Sequence, residues 1–369
     1  MKNIFIGVMT GTSVDAIDIA ALSIDHQSYE LLNAKSYAFP ESLKIKILEL
    51  SRNQDGHNNN NEIRSLGDEL AYVYAKSIET FIDESNLEKE MINAVGLHGQ
   101  TISHNPNDRH PNSIQIGNGE IVASSTELTI VNDFRRADIL AGGQGAPLAP
   151  LFHNRFFGAN NKKRAVINIG GIANISVFGK EIIGYDIGPG NVLMDSWCRE
   201  KQARDFDENG RWAEKGSLNE KLLGQFLEEE FIHRKPPKSS GTDYFNIKWI
   251  NEKLEQFDQQ INDIDVQRTL AEFTAITITR AIKSYRDIDQ IAICGGGAEN
   301  NFLLKLIREK TSSEIVKTDC WGMNHEWVEA AGFAYLAYLR VNEISVDTST
   351  ITGSNGMIKL GDIQKPKTK

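Results

Sequence analysis

Two glycine turns, one in each half of the chain, are the segments best suited to bind phosphate. Gly11-Thr12-Ser13 follows one apolar run, and Gly170-Gly171 follows another. A turn without bulky side chains lets successive backbone N–H groups converge on an oxyanion, and Thr12 and Ser13 add hydroxyl donors. Each turn alone is better explained as a plain hairpin connection. Their repetition at equivalent places favours phosphate binding, with the segment through Asn174 contributing from the second half.

A third glycine segment, Gly295-Gly296-Gly297, leads through Ala298 and Glu299 to Asn300. It follows a short apolar run and precedes a helical pattern, which predicts a strand, a tight loop and a helix. The segment lacks the last glycine of G-x-G-x-x-G, so a Rossmann site is disfavoured. The chain has no G-x-x-x-x-G-K-[ST] motif, which disfavours a P-loop enzyme.

Carboxylates near these turns could serve phosphoryl transfer, which requires a metal ion and a residue that prepares the nucleophile. Asp15 and Asp18 flank the first turn and could hold a metal, although Asp18 between Ile17 and Ile19 is equally consistent with a solvated strand position. Asp186 ends a predicted strand just before a Gly-Pro-Gly-Asn turn. There it would face the amide end of the next helix, which would keep it ionised as a base. The alternative is an acceptor that only caps the turn.

Basic side chains offer candidates for an anionic ligand. Arg135 and Arg136 precede the glycine-rich AGGQGAPLAP. Such pairs are usually surface salt bridges worth roughly 0–1 kcal/mol, but they could also hold a carboxylate or phosphate. His98, His104 and His110 are separated by five residues each time, which disfavours a three-histidine metal site. His98 in LHGQT remains a candidate for a hydrogen bond to a ligand.

The surrounding elements occur as a repeated pattern of strand, glycine turn, strand, strand and helix. The first copy comprises Asn3–Val8, Ile17–Ile24, Glu30–Phe39 and Ser42–Leu50. The second comprises Ala165–Ile169, Ile172–Phe178, Glu181–Ile187 and a helix from about Asn191. Such a duplication predicts two similar α/β lobes. Further helices are predicted at Glu62–Asn86, Val266–Tyr285 and Trp327–Val341.

Composition narrows the class of protein. The 369 residues suggest about two domains, and 40 basic against 50 acidic residues give a net charge of -10. This balance argues against a surface for nucleic acid or anionic lipid, though a local basic patch could still bind a small anion. The chain has three cysteines without a Cys-x-x-Cys pair, which predicts a reduced protein. Its N-terminal apolar run is too short for a signal peptide, and no apolar stretch approaches the ~18 residues of a membrane span. We therefore expect a cytoplasmic protein.

Several long motifs follow one another along nearly the whole chain: GVMTGTSVDAID, LHGQTISH, IQIGNGEIVA, VNDFRRADILAGGQGAPLAPLFH, NIGGIANIS, GYDIGPGNVLMD, KPPKSSGTDYFN, DVQRTLAEFTA, CGGGAENN, WVEAAGFAYLA and TGSNGMIKLG. In these motifs the chain resembles the anhydro-N-acetylmuramic acid kinase family. One departure is Ala16, which stands where the family's first loop, G-T-S-x-D-G, has its second glycine. Its methyl group would tighten the loop if that position needed a positive φ.

The resemblance implies an α/β actin-like, sugar-kinase (ASKHA) fold, in which two RNase-H-like lobes close over ATP and sugar. We place lobe I at residues 1–134 plus 350–369, with the first phosphate loop. Lobe II, residues 135–349, carries the catalytic aspartate, the second phosphate loop and the adenosine loop. The family's enzymes usually pair as homodimers, so a homodimer is expected, with ATP and Mg²⁺ as cofactors and a small sugar as substrate.

The resemblance also implies residue roles. Asp186 matches the catalytic base, while His98, Arg135, Arg136 and Glu329 match positions that line the substrate cleft. The nucleotide-binding positions are Gly11, Thr12, Ser13, Val14, Asp15, Ala16, Ile17, Asp18, Gly170, Gly171, Asn174, Gly295, Gly296, Gly297 and Asn300. Magnesium would arrive with ATP, with Asp15 or Asp18 as a possible ligand.

The implied reaction opens the 1,6-anhydro ring of 1,6-anhydro-N-acetylmuramic acid with water and phosphorylates O6, giving N-acetylmuramic acid 6-phosphate in peptidoglycan recycling. One alternative is a kinase of another anhydro sugar such as levoglucosan. Another is a nucleotide-gated, non-catalytic protein on the same fold. A glycosidase is disfavoured because it would leave two phosphate turns unused.

Overall fold

The chain divides into two compact units. Unit 1 comprises Met1–Phe152 and Trp327–Lys369, and unit 2 comprises His153–Glu326. The computed structural model describes residues 3–11, 14–52, 60–106, 111–158, 163–285 and 288–367. No helix within these ranges is long and apolar enough to cross a membrane.

The first stretch of unit 1 contains most of its sheet. Its elements are β1 (Ile4–Thr10), β2 (Ala16–Ile24), β3 (Tyr29–Ala38), α1 (Glu41–Arg52), α2 (Asn60–Glu84), β4 (Ile92–Leu97), β5 (Gln100–Asn105), β6 (Asn112–Ile116), α3 (Gly119–Thr126), β7 (Ile130–Asn132), α4 (Arg136–Leu140) and the first half of α5 (Ala149–Phe157), whose second half belongs to unit 2. β1 pairs antiparallel with β2 and parallel with β4, while β2 pairs antiparallel with β3 and β4 parallel with β7. The resulting order is β3-β2-β1-β4-β7.

Unit 2 repeats this arrangement. Its elements are β8 (Arg164–Ile169), β9 (Ile172–Phe178), β10 (Ile182–Pro189), α6 (Val192–Gln202), α7 (Arg211–Lys215), α8 (Glu220–Leu227), α9 (Glu230–His233), α10 (Ile247–Glu255), α11 (Asp263–Lys283), β11 (Gln290–Cys294), α12 (Asn301–Arg308) and β12 (Glu314–Lys317). The sheet order is β10-β9-β8-β11-β12, with the same parallel and antiparallel senses as in unit 1. The predicted duplication and α/β class are therefore confirmed.

The chain returns to unit 1 through α13 (Val328–Val341), β13 (Val346–Asp347), β14 (Met357–Ile358) and β15 (Asp362–Gln364). α13 packs directly on β1 and β4 because both strands have glycine at the contact. A Cβ at Gly7 would lie 1.8 Å from the Ala330 carbonyl oxygen, and one at Gly96 would lie 2.1 Å from that of Phe333. This packing corrects the predicted boundaries, since residues 135–152 and 327–349 belong to unit 1 and not to the second lobe.

Each sheet buries one face in its own hydrophobic core. Ile6, Val8, Ile17 and Ile19 are among the core residues of unit 1, and unit 2 has the corresponding isoleucines and alanines of β8 and β9. Because successive side chains of a strand point to opposite faces, the alternate residues lie on the other face of each sheet. That second face holds the candidate catalytic residues.

Candidate active site

The first glycine turn joins β1 to β2. The pairing of these strands ends at Thr10 opposite Ile17, which leaves residues 11–16 between the last paired residues. Val14 is fully buried, donates its N–H to the Gly11 carbonyl at 3.1 Å and has φ of +56°. A β-branched residue rarely adopts this left-handed conformation, and such strain is found most often at functional sites. Thr12 and Ser13 lie outside the described residues.

Ala16 does not occupy the strained position. It is the first residue of β2 and lies opposite Ala38 of β3, in extended backbone. The methyl group that replaces the family's glycine therefore meets no positive-φ requirement, and we expect it to leave the turn unchanged.

The two carboxylates beside the first turn have different surroundings. Asp15 pairs with the Lys44 ammonium at 2.7 Å. Asp18 points away from the core and accepts a hydrogen bond from the Ser36 hydroxyl at 2.7 Å. Met9, Asp18 and Ser36 lie directly opposite one another on β1, β2 and β3, and we call them the unit 1 row. In the described ranges no three His, Cys, Asp or Glu side chains form a metal-binding group.

A second row of side chains crosses the equivalent strands of unit 2. Asn168 on β8 lies opposite Asn174 on β9, which lies opposite Asp186 on β10. We call these three the unit 2 row. All are buried, and within the described part of the chain Asn174 Oδ1 has no hydrogen-bond partner. Asn168 was not predicted, although a single polar residue inside the apolar strand AVINI was a usable signal.

Asp186 is held by a loop that is distant in the sequence. Its carboxylate Oδ2 accepts the Ser240 N–H at 3.0 Å, and its own N–H donates to the Lys238 carbonyl at 3.0 Å. The Gly190 and Asn191 N–H groups just before α6 donate to the Gly171 and Gly170 carbonyls, each at 2.8 Å, and the expected contact of Asp186 with the amide end of α6 stays a prediction. An N–H donor stabilises an ionised carboxylate, the form that a general base requires.

The glycine segments of unit 2 gather at the end of β8. A Cβ at Gly190 would lie 2.3 Å from the Gly170 carbonyl oxygen, and one at Gly297 would lie 2.3 Å from Ile169 Cγ2. Gly295 has φ of +77°, and a Cβ there would lie 2.3 Å from Asn168 Oδ1. These contacts bring the two predicted nucleotide segments together.

The other predicted nucleotide residues of unit 2 differ in exposure. Gly296 is exposed, and the nearest atom to a Cβ built there is Asn191 Nδ2, at 3.8 Å. The backbone at this point is therefore open to a ligand. Asn300 caps α12, because its Oδ1 accepts the Leu303 N–H at 2.9 Å. This bond fixes the end of the loop and uses the oxygen of the amide.

In unit 1, Arg135 and His98 form a hydrogen-bonded pair. Arg135 Nη2 lies 2.9 Å from His98 Nε2, and Arg135 Nη1 donates to the Gly145 carbonyl at 2.9 Å. Because a guanidinium only donates, Nε2 accepts and the proton is on Nδ1. Burial, with a smaller contribution from the Arg135 charge, holds the pKa of His98 well below its usual range, so the ring is neutral. Arg136 instead lies on the surface, 3.8 Å from Asp133.

Glu329 lies in the first turn of α13, one helical turn before Phe333. Residues four apart share a helix face, and the Phe333 ring packs against His98 with ring centroids 4.6 Å apart. The structure therefore brings His98 and Arg135 together beside Phe333, and places Glu329 one turn before Phe333 on the same face of α13.

Asp138 supports this side of unit 1 and was not predicted. It is fully buried, and its carboxylate accepts the Gly145 N–H at 2.7 Å and the hydroxyls of Thr348 and Thr352 at 2.5 and 2.7 Å. These bonds fix the glycine-rich loop whose carbonyl binds Arg135. The signal was available, because Asp138 lies within the same motif as Arg135.

Of the two other histidines of the predicted trio, His104 lies within the described residues. His104 is buried, and its Nδ1 lies 3.0 Å from the Ser113 hydroxyl. Burial, followed by the Arg135 charge, lowers the pKa of His104 to about 3. His110 lies outside the described residues.

Two similar α/β units with glycine segments at their strand ends fit the class predicted from the sequence, a kinase of the actin-like, sugar-kinase fold. The model of the family described as "Anhydro-N-acetylmuramic acid kinase" matches residues 3–366. The chain belongs to the anhydro-N-acetylmuramic acid kinase family. The predicted fold and the predicted enzyme class, a phosphotransferase, are thereby confirmed.

Curated relatives agree with this assignment. The anhydro-N-acetylmuramic acid kinase of Vibrio vulnificus (strain CMCP6) is 37% identical over 365 residues, covering 98% of each chain. That of Mannheimia succiniciproducens is 38% identical over 376 residues, covering 98% of this chain and 99% of the relative. Among solved structures, the activator of the 2-hydroxyisocaproyl-CoA dehydratase from Clostridium difficile with bound ADPNP covers 92% of this chain and 96% of its own, with 13% identity and a TM-score of 0.45. A likeness this distant carries no functional meaning.

Proposed function

We propose that this chain opens the anhydro ring of 1,6-anhydro-N-acetylmuramic acid with water and transfers the γ-phosphoryl group of ATP to O6. Family membership supports the substrate, and the observation that carries the mechanism is the buried Asp186. It lies next to Asn174 in the unit 2 row, and the Ser240 N–H holds its carboxylate.

In the reaction, Asp186 accepts a proton from water as the water oxygen bonds to the anomeric carbon. The bond between that carbon and O6 breaks, and the freed O6 attacks the γ-phosphorus. ADP leaves, and the product is N-acetylmuramic acid 6-phosphate. A general base contributes roughly 10²–10⁴-fold to such a step.

The glycine segments are proposed to bind ATP. In unit 2, Gly170, Gly171 and Gly295–Gly297 have little side-chain bulk, and Gly296 is open to a ligand. In unit 1, the first turn from Gly11 to Asp18 is proposed to contact the phosphates. Both the strained Val14 and the absence of side chains at the glycines suit close approach of a phosphate.

Magnesium fits the residues of the first turn. The ion needs only one or two protein carboxylates in addition to phosphate oxygens and water. Asp18 is the proposed ligand, because Lys44 already neutralises Asp15. When bound with ATP, magnesium offsets negative charge on the β- and γ-phosphates.

The sugar is proposed to contact His98, Arg135 and Glu329. A neutral histidine with its proton on Nδ1 and an oriented guanidinium suit hydroxyl and carboxylate groups. Of the two predicted arginines we favour Arg135, because Asp138 and Gly145 fix its surroundings, whereas Arg136 is exposed.

The test is sugar-dependent ADP release, followed by location of the phosphate by NMR. We expect release with 1,6-anhydro-N-acetylmuramic acid and a phosphate on O6. Faster turnover with levoglucosan would reassign the substrate, and ADP release that is independent of sugar would favour the nucleotide-gated protein. A homodimer, a cytoplasmic location and a role in cell-wall recycling stay predictions, and light scattering after size-exclusion chromatography tests the first.

A further inference from the structure

Lys238 of unit 2 is a buried cation with no predicted role. Its side chain is buried, and its Nζ donates to the carbonyls of Phe231, Ile187 and Ile232 at 3.0, 3.2 and 3.4 Å. The ammonium also lies 4.6 Å from the centroid of the Phe231 ring. Three acceptors match the three protons of an ammonium, and a buried charge is tolerated only when it is satisfied in this way.

One of these three carbonyls, that of Ile187, lies where β10, the strand of Asp186, departs from its regular pairing with β9. The pairing of β10 with β9 shifts register between Asp186 and Gly188, so Ile187 has no partner residue on β9. Such a bulge frees the backbone and redirects neighbouring side chains. Lys238 Nζ binds the Ile187 carbonyl, and therefore fixes the backbone directly after Asp186.

The same loop contacts Asp186 itself on both sides. The Lys238 carbonyl accepts the Asp186 N–H, and two residues later the Ser240 N–H donates to Asp186 Oδ2, each at 3.0 Å. One short segment thus holds the main chain, the bulge and the carboxylate. If the lysine were absent, the segment would lose its link to the bulge and to α9.

A separate buried network anchors the far side of this loop. The Glu229 carboxylate accepts the hydroxyl of Tyr244 and the indole N–H of Trp249, the latter at 2.8 Å. Glu229 also accepts the Phe231 N–H at 3.4 Å, so this network meets Lys238 at Phe231. Because the bonds to Tyr244 and Trp249 do not involve the lysine, its loss should loosen the segment around Ser240 more than the region of Tyr244.

We propose that Lys238 is a positioning residue for Asp186, which acts by holding the Ser240 N–H and the bulged backbone in the geometry needed for proton abstraction from water. This inference rests on the proposed function, since it assumes that Asp186 is the base.

Electrostatics agree with the geometry. Burial lowers the pKa of Lys238 to about 8, with a smaller effect in the same direction from Arg234, whereas the neighbouring Asp186 opposes the shift. The lysine and the aspartate are therefore close enough to interact, and a positive charge there favours the ionised carboxylate.

The test compares Lys238→Met, Lys238→Arg and the matched control Lys221→Met. Lys221 lies in the same unit and pairs with Asp258 on the surface. For Lys238→Met we expect kcat to fall by about 10–100-fold, since small misplacements of a catalytic group have effects of this size. We expect KM for ATP to change less than about threefold and the acidic limb of the kcat/KM profile to move to higher pH. Lys238→Arg should keep the position of the limb, and Lys221→Met should match the parent.

If kcat of Lys238→Met falls but the acidic limb does not move, the lysine has only a structural role and the proposal is overturned. An unchanged kcat of Lys238→Met would overturn it as well. If Lys238→Met does not fold, Ser240→Pro removes the N–H donor while keeping the lysine. It should lower kcat and move the limb in the same direction, and an unmoved limb would overturn the proposal. Absence of sugar-dependent ADP release by the parent protein would instead overturn the proposed function.

Discussion

The unit 1 row and the unit 2 row stand at the same place in two copies of one sheet, yet they carry different chemistry. Each lies one residue pair before its glycine turn, since the ladders end at Thr10 opposite Ile17 and at Ile169 opposite Ala173. In unit 1 the carboxylate is on the middle strand, with a hydroxyl beside it. In unit 2 it is on the outer strand, with an amide beside it and a backbone N–H on its oxygen.

The connections that follow the rows differ as well. Residues 11–16 separate the last paired residues of β1 and β2, whereas only residues 170–172 separate those of β8 and β9. The short turn is held by N–H groups from the start of α6. The two units therefore have equivalent strand ends followed by different loops. In our proposal, the longer loop of unit 1 binds nucleotide, and the distant loop of unit 2 holds the base.

The largest difference between the rows should appear when each aspartate is neutralised. Asp186→Asn should lower kcat by about 10²–10⁴-fold, because it removes the base, while ATP affinity stays unchanged. Asp18→Asn should mainly weaken binding of magnesium and ATP. Steady-state kinetics and nucleotide titration measure both. If Asp186→Asn keeps more than half of the activity while Asp18→Asn abolishes it, the base belongs to the unit 1 row.

Adding a second carboxylate to each row by substitution tests the difference between the two aspartates further. Residues opposite one another in antiparallel strands have Cβ atoms about 4.5–5.5 Å apart, so Asn174→Asp places a like charge beside Asp186. We expect about tenfold lower activity at pH 7, recovered at higher pH as the acidic limb moves upward. Ser36→Asp makes the same change beside Asp18, and its pH profile should keep the limb of the parent. A shifted limb in Ser36→Asp alone would reverse the assignment.

Packing of the short turn predicts a smaller effect on stability. Gly190→Ala inserts a methyl group 2.3 Å from the Gly170 carbonyl oxygen, and overpacking of this kind lowers the free energy of unfolding by about 1–3 kcal/mol. Gly224 of α8 has nothing within 4 Å of an added Cβ, so Gly224→Ala should stabilise by up to about 1 kcal/mol. Denaturant unfolding of both variants provides the comparison. Equal stability of Gly190→Ala and the parent would mean that the turn is not packed as described.

The smallest effect concerns a buried histidine on the polar face of the unit 2 sheet. His153 is fully buried with Nδ1 2.8 Å from the Ser176 hydroxyl, and burial lowers the pKa of His153 to about 3. The unfolded chain takes up this proton near pH 6.5 and the folded chain does not. Stability is therefore lost as pH falls below 6.5, by up to about 2 kcal/mol at pH 5. His153→Asn should reduce that pH dependence, and an unchanged dependence would contradict the burial.

The repeated strands, the glycine turns and most helices could be predicted because they depend on local pattern. The assignment of α13 to unit 1 could not, since it rests on Gly7 and Gly96 meeting a helix more than 200 residues later in the sequence. Candidate residues were found where a motif carried them. The hydrogen bond from Ser240 to Asp186 was not predicted. Ser240 is 54 positions away and donates through its backbone N–H, which no side-chain pattern reveals.

A crystal structure with 1,6-anhydro-N-acetylmuramic acid and a non-hydrolysable ATP analogue tests the assignment of the base most directly. We expect an ordered water about 2.6–3.2 Å from the Asp186 carboxylate and about 3–3.5 Å from the anomeric carbon. A sugar bound with its anomeric carbon beside another carboxylate, and no water between it and Asp186, would contradict the account.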